Sequence, residues 1–459
     1  MKKFIIFGVV LALLVPSLAL AATEFSLGGF IKLDAMWDSD NGVGKNMSAP
    51  AARDNDPNRK HGRLKFTGQG SRFSFTIKGP DLWGAKTTGF IEMDFDSTER
   101  ELLNTGFTAS KSYTPRLRHA MFRFNWPTSE LLFGQYFSMF SEWWAESAED
   151  GPLQMTGTPT HRLAQVRFTQ TFMQDWTVAA LVGDPNQAAL GGGPLGNSQY
   201  NANINNGQSA ETPQVQGKIR YAHDFWGKAA YYGKPTPFTI QFTGGWQRNV
   251  QRSGPFVATN IFGEGNFQAA AINVRNNQYL DPWMAMMSVF IPVIPTHSAN
   301  LAGTASILTQ WWIGQGVENF GFTAASNKYR LANNFNGVFN YDAELMNKFG
   351  GFVEGQYYFN NQWFVNALYA FSKVYSVNRA RHVFGAGGQE MAFIADNPST
   401  VQQATATLWY RPIQAIKFGL QYSYMACTYL QMQTIPGFTP NSSRFGDNHR
   451  VEFVGFFYF

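Results

Sequence analysis

The chain ends in the stretch VEFVGFFYF, residues 451–459, in which apolar side chains recur at every second position. Successive side chains of a β-strand point to opposite faces, so Val451, Phe453, Gly455, Phe457 and Phe459 would share one face. A strand this apolar needs a neighbouring strand along its edge and an apolar surrounding. A closed barrel in lipid meets both needs, whereas a soluble β-sandwich with an aromatic last strand is the alternative.

The first residues predict an export signal. Lys2 and Lys3 precede an apolar run over residues 4–18, and residues 19–21 have the small-x-small pattern of a cleavage site. We therefore expect residues 1–21 to be a cleaved signal peptide and residues 22–459 to form one mature transmembrane domain. An uncleaved membrane anchor is the alternative, and no later stretch reaches the roughly 18 apolar residues of a membrane helix.

The composition also favours a membrane barrel. The 459 residues include 42 Phe, 18 Tyr, 13 Trp and 44 Gly, and only 15% are charged. This mixture is typical of strands with one face in lipid and one in water. Without Lys2 and Lys3 the formal net charge falls from +5 to +3, so we expect no nucleic-acid partner. The single cysteine, Cys427, forms no internal disulfide, and the absence of a haem-attachment sequence leads us to expect no cofactor.

Sixteen alternating segments, from residues 25–37 to residues 448–459, predict the strands of an all-β, antiparallel transmembrane barrel. The change of parity at residues 68–70 predicts a bulge in the second segment. Connections alternate between short turns and long loops, which is typical of outer-membrane barrels. The connection 222–237 is long for a turn, and two loops could hide a hairpin, so fourteen and eighteen strands remain alternatives.

Several motifs resemble a known family. The aromatic last strand with its terminal Phe, the sequence Phe133-Gly134-Gln135, and the spacing of Arg162, Gln165 and Arg167 resemble Gram-negative outer-membrane porins, both general trimeric and dicarboxylate-type. The resemblance implies a location in outer-membrane lipid, a homotrimer, and passive passage of small hydrophilic solutes. It also implies that Phe459 is an assembly signal read by the barrel-assembly machinery.

The segment 137–160 differs from the other loops because it is aromatic and acidic. Its large rings, Phe137, Phe140, Trp143 and Trp144, would not remain exposed to water at a loop tip. We therefore expect the segment to fold into the lumen, and in this it resembles the constriction loop of general porins.

A constriction loop in this place would carry its acids toward basic residues of the barrel wall. Such an opposition sets a transverse field that selects among ions, although the charges could equally pair to fix the loop. The predicted constriction residues are the loop acids Glu142, Glu146, Glu149 and Asp150 and the wall residues Arg72, Arg123 and Arg167.

Other charged residues also occupy inward strand positions. Their mixed sign predicts weak ion selectivity. The predicted pore-lining set is Lys32, Asp34, Glu92, Asp94, Lys218, Arg220, Glu354 and Lys417.

Enzymatic readings have little support in the sequence. The seven histidines are scattered, and we find no nucleophile elbow, phosphate-binding loop or dinucleotide motif. We therefore expect a passive channel that is not an enzyme. The barrel of an outer-membrane conduit, a channel for hydrophobic compounds, and a structural or adhesin barrel remain alternatives.

Overall fold

The computed structural model describes most of the chain. The described residues are 23–41, 46–47, 50–54, 56, 59–96, 99–101, 111–154, 156–185, 210–251, 254–258, 270–274, 278–321, 327–333, 339–376, 398–429 and 443–459. The predicted signal peptide, residues 1–21, lies outside them.

Sixteen strands form the main sheet, and the second of them has two segments. The strands are β1 (Glu24–Asp38), β2 (Arg63–Thr67 and Arg72–Lys78), β3 (Lys86–Asp94), β4 (Arg116–Asn125), β5 (Ser129–Phe137), β6 (Arg162–Phe172), β7 (Trp176–Gly183), β8 (Gln214–His223), β9 (Phe238–Trp246), β10 (Trp283–Ile294), β11 (Ala305–Gln315), β12 (Asn347–Tyr358), β13 (Trp363–Ser376), β14 (Pro398–Ile413), β15 (Ile416–Tyr429) and β16 (Phe445–Tyr458).

The sheet closes on itself, which leaves it without an open edge. Each strand pairs antiparallel with the next, and β1 pairs with β16 from Phe30↔Tyr458 to Asp38↔Arg450. The backbone of the last residue takes part, because Gly29 and Phe459 exchange two hydrogen bonds of 3.2 Å. The prediction of an all-β, sixteen-stranded antiparallel barrel is confirmed, and closure explains how the apolar last strand is accommodated.

The bulge predicted in the second strand is also present. Residues 68–71 separate the two segments of β2, both of which pair with β1. On β1, Gly29 has φ +148°, and a Cβ there would lie only 2.2 Å from the carbonyl oxygen of Arg72. Glycine is required because the two backbones approach too closely for a side chain.

The outer face of the barrel is apolar. On β1, the apolar residues Phe25, Leu27, Ile31 and Leu33 are exposed. The alternate positions of the same strand are buried: Lys32, Asp34, Met36 and Asp38. The same alternation continues on β13 to β16. An exposed apolar band around a closed barrel is the register expected when lipid surrounds the protein.

The two ends of the barrel differ. One end carries short turns at residues 126–128, 173–175, 359–362 and 414–415, and we call it the turn end. The other end carries long connections, and we call it the loop end. Small strand pairs lie outside the main sheet: Glu99–Glu101 with Lys111–Tyr113, Asn249–Gln251 with Gln278–Leu280, Ala229–Tyr231 with Lys234–Thr236, and a sheet of Gly254–Ala258, Ala270–Val274, Phe339–Leu345 and Asn327–Asn333.

Two short 3-10 turns, Met139–Ser141 and Val317–Phe320, lie within the described residues. Among these residues no helix has the length and apolar character needed to cross a membrane.

Candidate functional site: a partly filled barrel lumen

The connection between β5 and β6, residues 138–161, lies inside the barrel, and we call it the lumen loop. Its two ends are joined where it leaves the wall, because the Ser138 N–H donates to the His161 carbonyl over 2.9 Å. Inside this closure, the Ser141 hydroxyl donates to the Pro159 carbonyl and accepts from the His161 N–H, over 2.7 and 2.9 Å. The first and last residues of the lumen loop therefore lie side by side where the loop leaves the wall.

The first part of the lumen loop crosses to β8, β9 and β10. The Met139 N–H donates to Oε1 of Gln216 over 2.9 Å, and the Trp143 indole N–H donates to Oε1 of Gln241 over 3.3 Å. The rings of Trp143 and Phe290 stack with centroids 6.1 Å apart. These partners all lie on inward faces of the barrel, so this part of the loop packs against the wall a few strands away from its origin.

The middle of the lumen loop is fixed at Glu146. Its N–H donates to Oε1 of Glu354 over 3.0 Å, and its carboxylate accepts from Gln356 over 2.8 Å. The ammonium of Lys417 lies 2.7 Å from the same carboxylate, and Asn366 donates to the Glu146 carbonyl. Four wall side chains from β12, β13 and β15 thus satisfy one buried loop residue, as a buried charge requires.

The last acids of the lumen loop reach β15, β16, β1 and β2. The Ala148 N–H donates to Gln421 over 2.8 Å. Glu149 lies 3.5 Å from Arg450, and its other oxygen accepts from the Met47 N–H over 3.2 Å. Asp150 lies 3.2 Å from Lys32 and 3.8 Å from Arg72.

Part of the inward face of β10 to β14 is unexpectedly apolar. Here the lumen loop and neighbouring segments cover large side chains that are buried completely or nearly so, which gives the barrel a hydrophobic core inside its lumen. We call this set the apolar core: Phe290, Leu308, Phe352, Phe364, Leu368, Ala370 and Trp409. Burial of this kind is the main stabilising contribution in folded proteins.

The opposite half of the wall, β2 to β6, is basic and more accessible to water. We call it the arginine wall, and it comprises Arg72, Arg116, Arg118, Arg123, Arg162 and Arg167. Arg116 and Arg123 keep 36% and 33% of their side-chain surface exposed, compared with 0% for Arg450 on the packed side. Arg118 and Arg167 keep only 6% and 8% of their side-chain surface exposed, so water reaches part of the arginine wall and not the apolar core.

Acids neutralise part of the arginine wall. Arg116 forms a two-pronged pair with Asp94, over 2.9 and 2.8 Å, and Arg118 lies 2.7 Å from the same carboxylate. Arg123 and Arg167 share Glu130 at 3.2 and 3.4 Å.

Arg162 of the arginine wall and Arg220 of the nearby strand β8 differ from these paired arginines. Among the residues that the structure describes, neither Arg162 nor Arg220 forms a salt bridge. Arg162 lies 5.8 Å from the ring centroid of Phe137, and Arg220 lies 5.8 Å from that of Trp143. Arg220 still interacts electrostatically with Glu142, and Arg162 with Asp94, but no salt bridge neutralises either arginine within the described residues.

The space between the lumen loop and the arginine wall is a polar cavity of about 200 Å³. Three arginines of the wall and four residues of the lumen loop line it, together with two other polar residues. The lining residues are Arg116, Arg118 and Arg162 from the wall, Trp144, Asp150, Gln154 and Thr160 from the loop, and Asn46 and Asp96.

Electrostatics differ along the lumen loop. Burial alone would raise the pKa of Glu142, but Lys218, 2.6 Å away, and Arg167, at 3.6 Å, outweigh it and hold that pKa below its usual value. Burial raises the pKa of Glu149 in spite of the Arg450 guanidinium. Burial, together with the positive charge of Arg162, lowers the pKa of His161 to about 4. The surroundings therefore stabilise the ionised form of Glu142 and disfavour that of Glu149.

The structure brings together only part of the predicted constriction set. Glu142 faces Arg167, and Asp150 lies near Arg72, as the sequence analysis expected. Arg123 instead pairs with Glu130 on its own wall.

The other two loop acids also depart from the expected opposition. Glu146 and Glu149 face Lys417 and Arg450 on the packed side, not the arginine wall. The reason is that the loop crosses the lumen, so its successive acids meet different walls.

The predicted pore-lining residues have mixed surroundings. Lys32 and Asp34 are buried as an ion pair of 2.6 Å, and Glu354 and Lys417 are buried beneath the lumen loop. These four do not line an open path. The remaining four, Glu92, Asp94, Lys218 and Arg220, lie on or beside the arginine wall.

Sequence reasoning missed Arg116, Arg118 and the apolar core. Arg118 is the extra residue of a bulge in β4 opposite Glu92 and Met93, and Arg116 lies beyond that bulge, so period-two parity along β4 no longer assigns either residue to a face. For the apolar core, alternation shows that two faces exist but does not show that a loop covers the inner one.

Comparisons with known proteins were made on both sequence and structure. No protein-family model matches the chain, and no curated protein matches it in sequence. In structure, the outer membrane channel DcaP of Acinetobacter baumannii superposes with a TM-score of 0.61 at 16% identity, covering 96% of this chain and 98% of that one.

Two further solved structures are more distant. OmpF of Salmonella typhi, in complex with daunomycin, gives a TM-score of 0.49 at 12% identity, covering 95% of this chain and 98% of that one. OmpT of Vibrio cholerae gives 0.47 at 11% identity over the same shares. The similarity to DcaP concerns the fold: this chain has the closed β-barrel fold of that outer membrane channel.

Proposed function

We propose that the protein is an outer-membrane porin that lets small hydrophilic solutes diffuse passively along the arginine wall. The observation that supports this most is the division of the lumen. One side holds the packed apolar core, and the other holds partly exposed arginines and a polar cavity of about 200 Å³. A water-accessible charged surface inside a lipid-facing barrel is the arrangement that a diffusion channel requires.

The charge of this path favours anions. Arg162 and Arg220 form no salt bridge within the described residues, and both lie over rings at the loop. An excess of fixed positive charge along a narrow passage concentrates anions and repels cations. We therefore propose a modest anion preference, with the lumen loop as the constriction.

The packed lumen argues against a channel for hydrophobic compounds. The apolar inner side chains are already covered by the lumen loop, with Phe352 and Trp409 fully buried. They are used for packing, and the cavity beside the loop is lined mainly by charged and polar residues.

The remaining assignments belong to the same proposal. We propose that residues 1–21 are removed on export, that the turn end faces the periplasm, and that the barrel assembles as a homotrimer in outer-membrane lipid. We also propose that the barrel-assembly machinery recognises the last strand through Phe459. No enzymatic activity and no cofactor are part of this function.

Proteoliposome swelling tests the proposal. Vesicles containing the purified protein should swell in small uncharged sugars and in salts of small organic anions, and the rate should fall with solute size. Empty vesicles and vesicles with heat-denatured protein are the controls. Swelling no faster than in these controls would contradict a diffusion channel.

A further inference from the structure

The connection between β8 and β9, residues 224–237, is much longer than the tight turns at the same end of the barrel. It contains its own hairpin, in which Ala229–Tyr231 pairs antiparallel with Lys234–Thr236. We call this segment the inner hairpin. A turn that only reverses the chain needs about two to five residues, so the additional length requires another explanation.

The inner hairpin enters the barrel rather than extending from it. Ala229 and Ala230 are completely buried, and they pack in the apolar core with Phe290 and Tyr358. The Ser306 hydroxyl of β11 donates to the Ala230 carbonyl over 3.1 Å. These contacts place one strand of the hairpin against the inner face of the wall.

The tip of the inner hairpin meets the lumen loop. The Tyr231 hydroxyl oxygen accepts from the Trp144 N–H over 2.9 Å, and the Tyr232 hydroxyl donates to the Ala145 carbonyl over 2.9 Å. The rings of Tyr231 and Trp143 lie with centroids 4.9 Å apart. Two successive tyrosines therefore bind the backbone of two successive loop residues.

The turn at the tip also shows backbone strain. Tyr232 has φ +48° and Gly233 has φ +72°, so both central residues of the turn lie in the left-handed region. This is the two-residue turn that suits a hairpin, and glycine adopts it readily. For a tyrosine it is unfavourable, and such conformations persist where surrounding contacts enforce them. The bond to Ala145 is such a contact.

We propose that the inner hairpin is a second fixed partition of the lumen, which closes the turn end of the packed half and holds the lumen loop at its constricting position. Tyr231 and Tyr232 are positioning residues, because they act on permeation through the loop backbone. This role rests on the proposed channel function, since it concerns where solutes pass. Insertion of the hairpin into the barrel does not depend on that function.

Thiol labelling tests insertion by itself. In a Cys427→Ser background, Ser306→Cys places a near-isosteric thiol beneath the hairpin, and Lys234→Cys places one at its exposed side. A charged, membrane-impermeant maleimide should label Lys234→Cys in the folded protein and should label Ser306→Cys only after denaturation. Equal labelling of the two folded variants would overturn insertion.

Electrical recording tests the positioning role. The double variant Tyr231→Phe/Tyr232→Phe keeps both rings and removes the two bonds to the loop. It should show higher single-channel conductance and a weaker anion preference than the parent, while the heat-modified mobility of the barrel on gels stays unchanged. Tyr369→Phe, on the exposed face of β13, is the matched control and should behave as the parent.

The possible outcomes separate the two proposals. A double variant with the parent's conductance and reversal potential would overturn the positioning role. If the parent itself carries no current, the channel proposal fails, and the labelling result still decides whether the hairpin is inserted.

Discussion

The Lys417 ammonium lies 2.7 Å from the Glu146 carboxylate, and this contact joins the lumen loop to β15 across the barrel. Lys417 also lies 3.8 Å from the ring centroid of Trp409 in the apolar core. A buried ion pair contributes little stability by itself, but removing one partner leaves an uncompensated charge. The pair therefore determines where the loop lies more than how stable the barrel is.

Removing one member of this pair should release the loop. We expect Lys417→Met to cost about 3–5 kcal/mol at this contact, the usual penalty for an unpaired buried charge, and to make the channel current noisy. The double variant Lys417→Met/Glu146→Gln should restore much of the steady current, because neither charge remains. A single variant as quiet as the parent in planar bilayers would contradict this anchoring role.

Residues of the polar cavity should be accessible and close to the path. In a Cys427→Ser background, Gln154→Cys should react with a bulky thiol reagent, and the reaction should reduce the current. Asn360→Cys, in an exposed turn, is the control and should react without loss of current. The buried Glu146 is unsuitable for this test because little of it is accessible. Full labelling at position 154 with an unchanged current would place the path elsewhere.

Arginines that form no salt bridge within the described residues should determine the ion preference. We expect Arg162→Gln and Arg220→Gln each to reduce anion preference, measured as a shift in reversal potential. Two unit charges a few ångströms apart interact by about 4 kcal/mol at an effective dielectric near 20. The shift should weaken at high salt, because the Debye length falls from ~10 Å at 0.1 M to ~3 Å at 1 M.

Lys78→Gln is the control for this pair of variants, since Lys78 lies exposed at the turn end in a pair with Glu24. Reversal potentials of Arg162→Gln and Arg220→Gln that match the Lys78→Gln value at low salt would show that neither arginine lines the path.

The depressed pKa of Glu142 predicts how the loop responds to acid. A carboxyl group whose pKa is lowered by folding stabilises the folded state above its unfolded value, near 4.5, and this contribution is lost as the pH falls through the lower folded value. The pairs of Glu142 with Lys218 and Arg167 should therefore persist below pH 4.5. Protonation then removes a negative charge, so anion preference should rise only under more acidic conditions.

The variant Glu142→Gln isolates this response from the other acids. It should show the increased anion preference already at pH 7, and the difference from the parent should disappear in strong acid. Reversal potentials recorded from pH 7 to pH 3 give the measurement. A difference between parent and variant that already shrinks as the pH falls from 7 to 4.5 would contradict the lowered pKa of Glu142.

The apolar core should support the whole barrel. We expect Phe352→Ala to cost about 3–5 kcal/mol, as for other fully buried phenylalanines, and to lower the temperature at which the folded band disappears on gels. Phe359→Ala removes an exposed ring in the neighbouring turn and should have a much smaller effect. Equal shifts for the two variants would mean that the lumen is not packed as described.

The sequence predicted the strands of the barrel but not how the inner face of the barrel is covered. Alternation along β1 and β16 predicted the strands, because lipid and water impose opposite polarities on the two faces. On β13, however, both faces carry apolar residues: Phe364 and Leu368 point inward, and Val365 and Tyr369 point outward. Periodicity alone does not show which apolar face meets a loop.

The remaining differences between the sequence analysis and the structure arise from contacts between residues that are far apart in the chain. The aromatic segment 137–160 predicted burial inside the barrel, but the partners of its acids lie up to about 300 residues away in the chain, as with Arg450. The inner hairpin was visible only as a connection too long for a turn. Its contacts with the lumen loop depend on the closed barrel, which local sequence patterns do not describe.

Reversal potential and single-channel current of the purified protein in planar bilayers test the central claim most directly. We predict stable open channels whose reversal potential at 0.1 M salt indicates a preference for anions. Arg162→Gln should shift this reversal potential in the direction that indicates weaker anion preference, and the exposed control Lys78→Gln should not. A barrel that carries no current, or that prefers cations, would contradict a permeation path along the arginine wall.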